Sequence, residues 1–140
     1  MPAVRIYSDT VLLGKFMRNY LLPVIAELPG KQQTEAEIAV IEMLENARVH
    51  GNKEETTKEI TITWELTADA LIISVRDEGA GFHKEIPNQC PPVTATYGRG
   101  LWTMQDMGYN PVFNEPGNEI NITIPRRSDY GRYAALTKER

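Results

Sequence analysis

The chain has 140 residues, 41% of them hydrophobic, and a formal net charge of −4. That length suits one domain around one core, and the acidic balance argues against nucleic acid or an anionic membrane as a main partner. A single cysteine, Cys90, excludes an internal disulfide, no apolar run reaches the ~20 residues of a membrane span, and Met1-Pro2-Ala3-Val4-Arg5 begins no signal peptide, so a cytoplasmic protein is expected.

A strand is predicted over residues 3–7. Ser8 or Asp9 then caps a helix in which Leu13, Phe16, Met17, Tyr20 and Val24 recur at helical spacing. Pro23 is expected to kink or end that helix, and Pro29-Gly30 is a break. A second helix is predicted from Thr34, with Glu37 three residues on as a capping box, to Gly51 or Asn52. Ala36, Val40, Met43, Leu44 and Ala47 share its apolar face. Glu42 and Asn46 lie opposite, four apart and therefore neighbours.

Two strands follow. Ile60, Ile62, Trp64 and Leu66 alternate with Thr61, Thr63 and Glu65. A turn over 67–70 leads to Leu71, Ile73 and Val75, and Asp77 has the same parity, which points its carboxylate to the apolar side. Residues 83–97 lack periodicity, contain Pro87, Pro91 and Pro92, and read as a mobile loop. A helix is predicted over 99–107 and a hairpin pairing 111–114 with 119–124 around Pro116-Gly117-Asn118. Arg126-Arg127 reads as a solvated end, so residues 1–125 form the domain and 126–140 a charged tail.

Three short motifs carry chemistry. In Glu42-Met43-Leu44-Glu45-Asn46-Ala47, an acid and an amide sit one turn apart. Taken alone, such a pair is most often a solvated helix face. The amide also suits a hard divalent cation that keeps most of its waters and binds phosphates, and the acid can take a proton from an attacking hydroxyl. In Asp77-Glu78-Gly79-Ala80-Gly81-Phe82, a core-facing carboxylate needs donors, because an unpaired buried charge is expensive. The exocyclic amine of adenine is one such donor, and Gly79 and Gly81 let a flat ring lie close to the backbone. The bland alternative is a turn aspartate. In Gly98-Arg99-Gly100-Leu101, a helix start offers free N–H groups and a favourable dipole to phosphate, with Arg99 adding a charge-assisted contact. The Gly-Lys-Ser/Thr ending of a P-loop is missing. His50 and His83 are too few and too far apart for a metal site, no serine sits in a nucleophile elbow, and Cys90 in its Pro-flanked loop reads as incidental.

In this order the motifs resemble the N box and the two glycine boxes of the GHKL ATPase superfamily, which includes gyrase, MutL, histidine kinases and bacterial anti-sigma factor kinases. The likeness is strongest to the last group. It rests on Asn46-Ala47-Arg48-Val49-His50-Gly51-Asn52-Lys53, on Gly98-Arg99-Gly100-Leu101 with Met104, and on Phe113-Asn114-Glu115-Pro116-Gly117-Asn118-Glu119, and it runs from about residue 8 to 125. The resemblance implies a Bergerat fold, an α/β two-layer sandwich of the α+β kind with helices on one face of a mixed, mainly antiparallel sheet. It implies ATP and magnesium as cofactors. Glu42 matches the acid that activates the attacking hydroxyl, and Asn46 the magnesium ligand. Asp77 matches the adenine-reading aspartate, with Gly79 and Gly81 beside the base. Gly98, Arg99, Gly100 and Leu101 match the phosphate-binding helix start that ends an ATP lid over 83–97.

Histidine kinases usually carry an amide where Glu42 stands, since their phosphoacceptor histidine needs no strong base. The resemblance therefore implies an anti-sigma factor serine/threonine kinase. Its partners would be a STAS-fold anti-anti-sigma protein and a sigma factor or other regulator, with a homodimer left open. The rival is a nucleotide-gated binder without phosphotransfer, and a plain ATPase domain is a third reading. Three features depart from the superfamily pattern. Gly117-Asn118-Glu119 stands where many members have a Gly-Thr pair, Met107-Gly108-Tyr109-Asn110 where a Met-Asp run is frequent, and the tail from Arg127 has no counterpart.

Overall fold

Strict alternation in the strands decides which face of the sheet is covered. The computed structural model describes residues 2–81, 86–95 and 98–126. Its strands are β1 (Ala3–Tyr7), β2 (Glu59–Leu66), β3 (Ala70–Arg76), β4 (Val112–Phe113) and β5 (Glu119–Pro125), in the spatial order β1-β2-β3-β5-β4. All four pairings are antiparallel, the antiparallel form of the sheet expected. Trp64 faces Ile73, which faces Ile122, and Ile62, Val75 and Ile120 form the next row. These side chains are buried with Ile60, Leu71 and Ile124. Leu66 keeps the alternation, but at the strand end it is 36% exposed.

Three helical segments supply the other layer. The first runs through α1 (Thr10–Phe16), a π-helical turn (Met17–Leu21) and α2 (Leu22–Ile25). Asp9 is its cap, accepting from the Val11 and Leu12 N–H groups at 2.9 and 3.1 Å. Pro23 does not end the helix, which continues to Ile25. A proline ring clashes with the carbonyl four residues back, and the π-turn just before it widens the helix there. Leu13, Phe16, Leu21 and Ile25 from this segment enter the core, with Phe16 edge-on to Trp64 at 5.8 Å between ring centres.

The second segment is α3 (Gly30–Glu45), continued by a π-turn (Asn46–Gly51). It starts at Gly30, four residues before the predicted Thr34, and the expected capping box does not form. Pro29, fixed at φ −55° and extended in ψ, already leads into the helix, and the Gln33 side chain closes the entry by donating to the Leu28 carbonyl at 2.9 Å. The predicted end, at Gly51 and Asn52, is where the π-turn stops. Ala36, Val40, Met43, Leu44 and Ala47 are buried as expected.

The third segment, α4 (Arg99–Asp106), packs Leu101 and Met104 into the same core. Tyr109 follows, fully buried. Its hydroxyl lies 3.3 Å from the Glu35 carboxylate, and its carbonyl accepts from Thr123 of β5 at 2.9 Å. The Met107-Gly108-Tyr109-Asn110 run thus ties α4 to the sheet and to α3. In the last hairpin Val112 and Phe113 pair with Asn121 and Ile120, and the Asn114 N–H continues the register to the Glu119 carbonyl at 3.0 Å, within the predicted span. Arg126 is not a solvated end. Its guanidinium donates to the Thr67 carbonyl at 2.9 Å and its N–H to the Asp69 carbonyl at 2.8 Å, closing β5 onto the β2–β3 turn.

Residues 82–85 and 96–97, within the predicted loop, and the tail from 127 lie outside the described residues. Among the described residues, no helix is long and apolar enough to cross a membrane.

Candidate functional site

The parity of β3 carries Asp77 to the covered side of the sheet, where it is 7% exposed. The strand ends there in a turn, and the Gly79 N–H donates to the Asp77 carboxylate at 2.7 Å. The π-turn that continues α3 brings Gly51 against the same carboxylate, so closely that a β-carbon on Gly51 would overlap it. Only a residue without a side chain lets this helix end approach the strand end. Beside this contact lies a cavity of about 570 Å³, lined by His50, Gly51, Lys53, Lys58 and the Glu78-Gly79-Ala80-Gly81 turn. Gly81 rests on the Pro116 backbone of the last hairpin.

Glu42 and Asn46 are half-buried, not on the solvated face of α3, which is formed by Thr34, Ile38, Ile41 and Glu45. The cause is α4, whose second residue, Gly100, lies on the Glu42 side chain. Asn46 begins the π-turn and its N–H bonds back to the Glu42 and Met43 carbonyls. Neither the Glu42 carboxylate nor the Asn46 side-chain amide has a hydrogen bond or ion pair among the described residues. Being half-buried, this acid and amide are open to solvent or to a ligand. The next turn is held differently. Arg48 pairs with Glu45 at 2.9 Å and Glu54 at 3.6 Å, and the hydrogen bonds it donates to Glu45 hold the guanidinium above its ordinary pKa.

At the start of α4, Gly98 is the cap residue, in the left-handed region at φ 98°. Arg99 is exposed and its guanidinium donates to the Pro91 carbonyl at 3.0 Å, which ties the described part of the 83–97 loop to this helix start. Leu101 is 1% exposed and belongs to the core, so it anchors α4 and lines no cavity described here. The structure thus joins the predicted residues in two clusters. Asp77 and Gly79 meet Gly51 in one. Glu42 meets Gly100 in the other, with Asn46 one turn further along the helix. The π-turn from Asn46 to Gly51 links them.

Two residues that sequence reasoning treated as turn formers prove to be built into the site. Asn52, taken as a helix stop, is fully buried, and its side chain bonds both the Glu59 carbonyl and the Glu78 N–H. Asn118, in the position of the missing Gly-Thr pair, bonds Gly79. The sequence offered only an asparagine directly after a helix-ending glycine, Gly51-Asn52.

The donor set limits what the site can hold. Among the described residues, no three His, Cys, Asp or Glu side chains converge on a metal position. A cation here would be held by one amide, phosphate oxygens and waters, the mode that magnesium favours. A buried carboxylate beside a cavity and a glycine-opened helix start fit the base and the phosphates of a nucleotide.

A two-layer domain of this topology, with an acid–amide helix, a strand-end aspartate and a glycine-opened helix, is an ATP-binding domain of the GHKL type. The histidine kinase-like ATPase domain matches residues 12–124, and the chain belongs to that family. No curated protein matches the chain.

Proposed function

We propose that the protein is an ATP- and magnesium-dependent serine/threonine kinase of the anti-sigma type. Its acceptor would be a STAS-fold anti-anti-sigma protein, and its second partner a sigma factor or another regulator. The observation that carries this is the Glu42–Asn46 pair, half-buried and unpartnered among the described residues, with Glu42 set against the start of α4.

In this reading Asp77 accepts the exocyclic amine of adenine, and the Glu78-Gly79-Ala80-Gly81 turn walls the cavity that takes the ring, its two glycines being required by the close approach of the Gly51 and Pro116 backbones. Asn46 would hold magnesium, which would neutralise charge on the phosphates. The α4 start at Gly98, Arg99 and Gly100 binds the terminal phosphate with its N–H groups. Glu42 takes the proton of the attacking hydroxyl. A carboxylate suits a serine or threonine hydroxyl, which must lose a proton to attack.

Incubation with γ-labelled ATP, magnesium and STAS proteins of the same genome tests this. Label on the STAS protein supports the kinase. Release of free phosphate alone would favour a plain ATPase. ATP-dependent STAS binding with no label would favour a nucleotide-gated binder.

A further inference from the structure

The turn after β3 is held from two sides by asparagines. On one side, the Asn52 side-chain oxygen accepts from the Glu78 N–H at 2.8 Å, and its amide donates to the Glu59 carbonyl at 3.0 Å. The Glu59 N–H in turn donates to the Glu78 carboxylate. On the other side, the Asn118 carbonyl accepts from the Asp77 N–H at 2.9 Å, and its side-chain amide donates to the Gly79 carbonyl at 3.3 Å. Asn118 is itself fixed by Asn114. The Asn114 amide donates to the Asn118 side-chain oxygen at 2.7 Å, and its oxygen accepts from the N–H groups of Gly117, Asn118 and Glu119 at 2.9, 3.0 and 3.1 Å.

The Asp77 carboxylate is bonded to the Gly79 N–H at 2.7 Å, so its orientation follows the peptides of 78 and 79. The two asparagines hold the peptides on either side of that donor, Asn52 at the Glu78 N–H and Asn118 at the Gly79 carbonyl. Neither asparagine lines the neighbouring cavity. We infer that Asn52 and Asn118 are positioning residues that aim the Asp77 carboxylate and thereby set the base selectivity of the pocket. The inference rests on Asp77 being the base-reading carboxylate. Binding groups must be held within about 0.5 Å and 10–20° of the productive pose, a task for the residues behind them. Asn118 would do here what the Gly-Thr pair does elsewhere in the superfamily, through the backbone of Gly79.

The test uses the full chain with Asn52→Ala, Asn118→Ala and both together. ATP and GTP are titrated calorimetrically well below each variant's melting temperature. Each single change is expected to weaken ATP about 5-fold, the order of one lost hydrogen bond, and to leave GTP unchanged. The preference for ATP then narrows by the same factor, and further in the double variant. A folded variant with a lower melting temperature but the wild-type ATP-to-GTP ratio would overturn the inference, since a purely structural role moves stability alone. If Asn52→Ala does not fold, the half-buried Asn118 decides, because its removal leaves the buried Asn52 bonds in place. A wild-type protein that binds GTP as well as ATP would overturn the Asp77 reading, and this inference with it.

Discussion

Gly100 lies so close to Glu42 that a β-carbon at position 100 would overlap the Glu42 side-chain carbons. The start of α4 and the acid of α3 are thereby fixed at contact distance. The proposed phosphotransfer would use this contact to hold a phosphate at the start of α4 beside the Glu42 carboxylate.

Gly100→Ala should displace the Glu42 side chain or push α4 away from it. Overpacking of this kind costs about 1–3 kcal/mol. Thermal melts should show a clear loss, and nucleotide binding should weaken. Gly30, at the start of α3, has open space where its β-carbon would be. Gly30→Ala should therefore melt at or slightly above the wild-type temperature. Equal melting of both variants would remove the contact argument.

Asp77→Asn keeps the shape of the side chain and removes its charge. Losing a buried hydrogen-bond partner costs ~1–3 kcal/mol, so ATP and ADP should bind about 5- to 150-fold more weakly. Calorimetry checks this, with GTP as the reference ligand.

Glu42 and Asn46 should separate in kinetics. Glu42→Gln should bind ATP normally and lose roughly 10²–10⁴ in phosphotransfer rate. Asn46→Ala should weaken the magnesium-dependent part of nucleotide binding. Wild-type transfer by Glu42→Gln would exclude the base role.

Tyr109 is the largest of the fully buried side chains. Removing an aromatic of this size from a core costs about 3–5 kcal/mol. Tyr109→Ala should show that loss in denaturant melts. Tyr109→Phe, which keeps the ring and removes the hydroxyl with its long 3.3 Å contact to Glu35, should lose far less, on the order of 1 kcal/mol.

The sheet and its covered face were legible because period-2 alternation is local. It placed Ile60, Ile62, Trp64, Leu71, Ile73 and Val75 in the core and carried Asp77 to the same side. The start of α3 was misread because Thr34 and Glu37 mimic a capping box, while Pro29 already supplied the helix entry. The π-turns at Met17–Leu21 and Asn46–Gly51 leave little trace in a 3.6-residue period. The half-burial of Glu42 comes from Gly100, and the anchoring of Asp77 from Asn118. Both contacts join residues more than 40 positions apart, and no local pattern encodes them. The burial of Tyr109 was hidden for the same reason, since its partners lie on α3 and β5.

Mass spectrometry of a STAS partner after reaction with the protein, ATP and magnesium tests phosphotransfer most directly. One acid-stable phosphoserine or phosphothreonine is expected on the partner, and none when Glu42→Gln replaces the wild type over the same short time. The phosphate adds ~1.5–2 negative charges. Facing a protein of net charge −4, the modified partner should bind more weakly. A partner that gains no phosphate, while its binding still responds to ATP, would contradict the kinase and leave the nucleotide-gated binder in its place.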